Sequence, residues 1–401
     1  MSRIFVAGLG AVSPAGWKVA ALREALDQGE PLPTQTLERP GWEKPLPARL
    51  VPNPAVRPEF LTHPRLRRAS PITHYVVAAA LEAMAGLLAK PDPERRLGLV
   101  VCLQCGCVNY SCRFFEETLK DPATASPLLF PETVFAAPTS HVAAFLGNVS
   151  LANSLVGDPA TFLQGVSLGV QWLEENRVDA CLVVGAEETN WILADALRHL
   201  ERPAVLTAGA GALCLCREPE SSIGVELAAI TDVHTYSLRN SRMQAARAMR
   251  EQLSRNDSVA AGVGGGDASS PQSECAATAH RFPPANMSEG QKSGDGGVAA
   301  TAELLCDGVG NSPRADAPEL AAWGDWTGPR LSPKRILGEG LMAAAAWQCV
   351  AACDAVAGGR FAAANVSLVG SNQQAMGARF VRADSGISHL SPDKSPGNIR
   401  P

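Results

Sequence analysis

Val6-Ala7-Gly8-Leu9-Gly10-Ala11-Val12-Ser13-Pro14-Ala15-Gly16, close to the N-terminus, admits two readings with different folds behind them. A strand running into Gly-x-Gly invites a dinucleotide-binding unit. Three features oppose that reading: Ser13 stands where the third glycine belongs, Pro14 falls where the phosphate-binding helix should be under way, and no ribose-binding acid is convincingly placed near position 30. The other reading is a strand over Arg3–Ala7, a glycine turn and a helix. Working outward from this stretch decides between them.

Beyond it, short β-rich runs alternate with amphipathic or Ala-rich stretches, the pattern of an α/β fold. Strands are expected at Arg3–Ala7, Leu97–Cys102, Ala180–Val184, Ala212–Cys216, Gly224–Thr231, Glu319–Ala322 and Val366–Val369. Helices are expected at Thr73–Leu88, Ala160–Asn176, Ser241–Leu253 and Gly340–Ala357, the last so uniformly apolar that it should be buried on every side. Residues 255–298 are a tract of Gly, Ser, Ala, Pro and Asp that cannot offset its ordering entropy by burial, and they read as a disordered insertion. Helical pattern resumes at Ala299-Ala300-Thr301-Ala302-Glu303-Leu304-Leu305, and the polar tail 384–401 reads as flexible. The expected division is therefore 1–240, then 241–383 with the insertion, then the tail.

With 401 residues and 46% hydrophobic content the chain can bury a large core. A net charge of −5 leaves no basic footprint for nucleic acid, although a local basic patch could still receive an acidic carrier domain. No apolar run reaches the roughly 18–20 residues of a membrane span, and the N-terminus lacks the form of a signal peptide, so a cytoplasmic location without membrane association is expected. Eleven cysteines is an odd number. Most sit in apolar runs, as buried free thiols in a reducing compartment do. Cys102, Cys105, Cys107 and Cys112 lie close enough in sequence to suggest a metal, but if the strand through Cys102 continues, Cys102 and Cys105 point to opposite faces, so no metal site is expected.

Several segments, in order, resemble the β-ketoacyl synthases. The N-terminal stretch is similar to that family's VxxTGxGxVSPxG opening. Leu97–Val101 and Arg113–Leu119 resemble its strand and following FFE helix, with Ser126–Pro131 continuing the match. Ala137–Ala143 resembles NxxAGHVA, and Asp179–Glu188 the strand and GxxE turn after the nucleophilic helix. Thr207–Ala212 resembles a trimmed glycine-rich turn, Ser332–Glu339 the KSxxGH segment, and Leu368–Asn372 the closing GFGGxN turn. The resemblance covers most of the chain outside the insertion and tail. It implies a thiolase-like fold: two similar βαβαβ halves with layered sheets and buried central helices.

Condensation in that family needs a cysteine thiolate at a helix N-terminus and two imidazoles that stabilise the oxyanion and assist decarboxylation. The resemblance puts the nucleophile position at Pro159, or at Asp158 if the register slips by one. The pair has a plain structural account, with Asp158 as N-cap and Pro159 at the first helical position. Thr161 is a weak substitute, since no matched histidine remains to activate it. The first histidine position, in an HGT turn after a strand, falls at Asp325. The second falls at Glu339, while Lys334 is retained. A carboxylate facing an oxyanion at about 4 Å and an effective dielectric near 20 would cost roughly 4 kcal/mol, about a thousandfold in rate. His141 reads as structural, and His63, His74, His199, His234, His280 and His389 match no catalytic position.

Keeping the scaffold while losing all three groups resembles chain-length-factor subunits of polyketide and aryl-polyene systems. Some of those keep a glutamine at the nucleophile position, so this chain departs from that pattern. The resemblance implies a non-condensing subunit in fatty-acid or polyketide assembly, paired with an active ketosynthase or with a second copy, and served by an acyl carrier protein without a cofactor of its own. Two other readings stay open: an acyltransferase using another nucleophile, such as Cys102, Cys105 or Cys107, and a structural or regulatory dimer.

Overall fold

The computed structural model describes residues 2–90, 92–200, 204–237, 241–260 and 302–383. The first half runs β1 (Phe5–Val12), α1 (Val19–Gln28), β2 (Gln35–Leu37), β3 (Leu46–Arg49), α2 (Pro71–Ala83), α3 (Ala85–Leu88), β4 (Leu97–Leu103), α4 (Val108–Lys120), α5 (Ala137–Leu146), β5 (Val149–Val156), α6 (Thr161–Glu174), β6 (Ala180–Glu187), α7 (Trp191–Leu200), β7 (Leu206–Thr207) and β8 (Gly209–Cys216). The chain continues through β9 (Val225–Ile230), β10 (His234–Thr235), α8 (Arg242–Ala260), β11 (Glu303–Cys306), α9 (Pro313–Ala322), β12 (Arg330–Leu331), α10 (Pro333–Leu337), α11 (Met342–Ala357), β13 (Ala363–Val369) and β14 (Gln374–Arg382).

Among the described residues, eleven strands form one sheet in the order β12-β11-β13-β14-β9-β1-β8-β6-β4-β5, with β10 added on β14. This path folds over, so α11 packs on β1, β6 and β8 with one side and on β11, β13 and β14 with the other. Every residue of α11 from Met342 to Val356 is buried, as a helix apolar all round requires. Helices α2 and α5 cover the outer face of the β1, β8, β6 and β4 strands, while α8 and α9 lie beyond β13 and β14. The result is the layered α/β architecture implied by the resemblance, with central helices between sheet layers. Trp347 of α11 joins the layers, donating its indole N–H to the carbonyls of Val12 and Ala210 at 3.1 and 3.0 Å.

The opening stretch of sequence acquires a different role here. Gly8 and Gly10 lie inside β1, which runs on to Val12 and pairs antiparallel with β8. They serve helix docking rather than phosphate binding. A Cβ at Gly10 would stand 1.9 Å from the carbonyl oxygen of Ala79, and one at Gly8 would stand 2.0 Å from that of Ala83, so only glycine lets α2 lie this close on the strand. The turn comes later, where Ser13 and Gly16 exchange backbone hydrogen bonds of 2.9 Å.

Three local expectations are corrected. Glu303–Cys306, at the end of the stretch read as helical, is strand β11, held in parallel pairing by β13. Glu319–Ala322, read as a strand, belongs to helix α9, which Pro313 opens at its first turn. Residues 255–260 continue α8 instead of opening the insertion. The rest of that insertion and the 384–401 tail lie outside the described residues, as does the expected boundary at 240. No helix among the described residues is long and apolar enough to cross a membrane.

Candidate functional site

Four turns meet over the buried central helices and enclose a cleft of about 430 Å³. They are the β5–α6 turn, the turn after β11, the passage from α10 into α11, and the segment between β13 and β14. Gln104, Pro159, Glu319, Lys334, Glu339 and Leu341 line the cleft. Arg49, Arg242, Arg314 and Arg335 also contribute to its wall, a local cationic cluster on a chain of net charge −5.

Pro159 therefore reaches the cleft, while the neighbouring carboxylate does not cap the helix. Helical bonding opens with backbone contacts, Thr161 N–H donating to the Asp158 carbonyl at 2.8 Å. The Asp158 side chain instead accepts the backbone N–H groups of Gln373 and Gln374, at 3.0 and 3.3 Å. The N-cap expectation is thus corrected: a long-range pair of donors outcompetes the local ones. Thr161 is buried and its hydroxyl accepts from the Gln374 amide at 2.9 Å, which places it in a side-chain network with Gln164.

Lys334 and Glu339 come together at the cleft. The five-residue α10 returns the chain so that the Lys334 ammonium donates to Glu339 Oε2 at 2.8 Å, with both side chains largely buried. The other oxygen, Oε1, accepts the backbone N–H of Leu341, also at 2.8 Å. Glu339 is thus neutralised and held at both oxygens. The bare wrong-sign carboxylate expected from the sequence is replaced by a closed ion pair.

Asp325, the expected first histidine position, lies away from the cleft. It is exposed and pairs with Arg250 on the surface, and that guanidinium holds its carboxyl below the usual carboxylate range. The carboxylate that follows a strand and adjoins the cleft is Asp307, directly after β11. It accepts from the Ser332 hydroxyl at 2.5 Å and from Arg330 at 3.2 Å, and burial raises its pKa. Gly308 and Gly310, in the same turn, line the cleft. The signal available in the sequence was the turn Asp307-Gly308-Val309-Gly310 after Leu304-Leu305-Cys306, obscured because those apolar residues were read as helix.

Glu319, from α9, completes the acidic side of the cleft. Burial and the neighbouring Asp307 raise its pKa, against the opposing pull of Lys334 and of the Gly308 N–H that it accepts at 3.1 Å. Glu187, at the end of β6, is another buried carboxyl, pushed up to about 8 by burial although it accepts the N–H groups of Gln104 and Cys105. The site can therefore hold a proton on a carboxylic acid and present a neutralised ion pair, but no thiol among the described residues lines it. Burial pushes Cys105 up to about 12, with Glu187 adding to the shift, and raises Cys102 and Cys107 further, so all three stay protonated at neutral pH. Among the described residues, no group of three or more His, Cys, Asp or Glu side chains could hold a metal ion. His141 is bound to Glu132 at 2.9 Å, whereas His199 of α7 stands at the cleft wall.

No protein-family model matches the sequence, and no curated protein matches it significantly. Solved structures do match in fold. A β-ketoacyl synthase from Burkholderia phymatum is 15% identical with a TM-score of 0.71, over 96% of this chain and 100% of that one. The ishigamide ketosynthase/chain length factor is 16% identical with a TM-score of 0.70, over 95% and 99%. A ketosynthase in complex with its chain length factor from Xenorhabdus doucetiae is 12% identical with a TM-score of 0.70, over 95% and 98%. The chain has the fold of the ketosynthases and chain length factors.

Proposed function

We propose that this protein is a chain-length-factor-like subunit that pairs with an active ketosynthase and does not itself condense acyl chains. The observation that carries this reading is Pro159. It occupies the cleft at the start of the central helix, where condensation would need a thiolate, and proline offers no atom that can be acylated. The flanking carboxylates support it, because Glu339 is spent on Lys334 and Asp307 on Ser332 and Arg330, and neither can stabilise an oxyanion as an imidazole would. Fatty-acid and polyketide assembly are both compatible with such a role, and acyl chains arriving on a carrier protein require no further cofactor. The Arg49, Arg242, Arg314 and Arg335 cluster and the exposed Arg65, Arg67 and Arg68 suit an acidic carrier domain.

Pairing with another subunit is supported by β5. It is the edge of the sheet among the described residues, and its eight residues, Val149–Val156, include no charge and no proline. An edge of this kind is a template for a second strand. Phe115, Leu119, Leu128 and Phe130 add exposed apolar surface elsewhere in this half. Lysines introduced at exposed Ala152 and Asn153 should weaken association with a co-encoded ketosynthase about tenfold or more, since charge on an edge opposes pairing. Sedimentation or surface-plasmon measurements would read this, and unchanged affinity would discard β5 as the contact.

The decisive experiment incubates the protein, its co-encoded synthase and labelled acyl-carrier protein, followed by mass spectrometry. The label is expected on the synthase and absent from this chain. A covalent acyl adduct here would overturn the non-condensing reading in favour of another nucleophile. The protonated state of the thiols weighs against that outcome.

A further inference from the structure

Asp158 occupies an unusual position for a carboxylate. It is 3% exposed, and one of its oxygens, Oδ2, receives two backbone N–H groups, from Gln373 at 3.0 Å and Gln374 at 3.3 Å. The other oxygen, Oδ1, is shut off from solvent and has no hydrogen-bond partner. The approach depends on Gly370, where a Cβ would stand 1.9 Å from Oδ2. A buried carboxylate with an oxygen left unsatisfied is costly, so the two adjacent donors must be an effective anion trap, as consecutive backbone N–H groups are elsewhere. This trap adjoins the cleft. Pro159, the residue after Asp158, lines it, as do Ser371 and Asn372 just before Gln373.

We propose that the backbone N–H groups of Gln373 and Gln374 form an anion-binding site beside the cleft that the chain's own Asp158 carboxylate keeps filled. With Asp158 in place these donors are occupied, and without it they accept a small external carboxylate. The anion site is a property of the loop and stands apart from any partner subunit.

The test compares thermal unfolding of wild type, Asp158→Ala and Asp158→Asn in sodium acetate and in sodium chloride at matched ionic strength and pH. Asp158→Ala is expected to lose stability and to regain most of the lost Tm saturably in acetate. Wild type and Asp158→Asn should gain no more from acetate than from chloride, because a side-chain oxygen still fills the site. An alanine variant no more sensitive to acetate than wild type would overturn the proposal. Should that variant fail to fold, the amide proton resonances of Gln373 and Gln374 in isotope-labelled wild type provide the readout. They are expected to move together when the spectra of wild type and Asp158→Asn are compared, and independent or absent shifts count against the site. Neither readout involves the synthase, so failure here and failure to pair with a ketosynthase are separate results.

Discussion

Replacing Lys334 by alanine is expected to destabilise the protein by about 3–5 kcal/mol near neutral pH, the usual range when one partner of a buried ion pair is removed. The loss of attraction is only part of it. Lys334 and Glu339 retain 12% and 10% of their side-chain exposure, so the variant strands a carboxylate that water cannot properly solvate. Leu341 N–H still donates to Glu339 Oε1 but supplies no charge. Lys334 also lowers the pKa of Glu319, so its removal pushes that acid further up. A double variant, Lys334→Met with Glu339→Leu, should recover most of the loss, since a packed apolar pair avoids both desolvation costs. Urea unfolding of wild type, Lys334→Met, Glu339→Leu and the double variant gives the coupling energy, and a value below about 1 kcal/mol would mean that the pair behaves as an exposed one.

Glu187→Gln should change how stability depends on pH. The folded-state pKa is about 8 against an ordinary 4.5. Between those values the folded chain keeps a proton that the unfolded chain releases, and stability therefore falls as pH rises through this window and levels off above it. Glutamine can still accept from the Gln104 and Cys105 N–H groups without titrating. Relative to the variant, wild type should lose on the order of 1.4 kcal/mol per pH unit across the window. Denaturant unfolding at several pH values between 5 and 9 measures the difference, and parallel stability curves for the two proteins would contradict it. Glu319 leans the same way, so the variant should retain part of the slope.

What the sequence disclosed was largely local. Lys334 and Glu339 were both singled out by the resemblance, and a single short helix brings them together. The uniform apolarity of 342–356 announced a helix buried on all sides, and the runs at 97 and 180 stood out as strands because both faces are covered. The failures share a cause in long-range pairing. Glu303–Leu305 has helix-forming composition, and pairing with β12 and with β13, some sixty residues on, makes it a strand. That misreading also hid Asp307, the carboxylate that directly follows β11 beside the cleft. Asp158 was missed similarly: capping rules weigh nearby donors, while the two it uses lie more than two hundred residues away.

The uncharged edge strand β5 bears on the life of the chain inside a cell. Natural sheet edges are usually guarded by lysine, proline, a bulge or a covering loop, and Val149–Val156 has neither lysine nor proline. A copy synthesised in excess of whatever covers that strand displays an open ladder of N–H and C=O groups, the feature on which aggregates grow and which chaperones and proteases sort. The steady-state amount of this protein should then track the supply of the proposed ketosynthase partner, rising on co-expression and falling when that subunit is withheld, even if its own synthesis is constant.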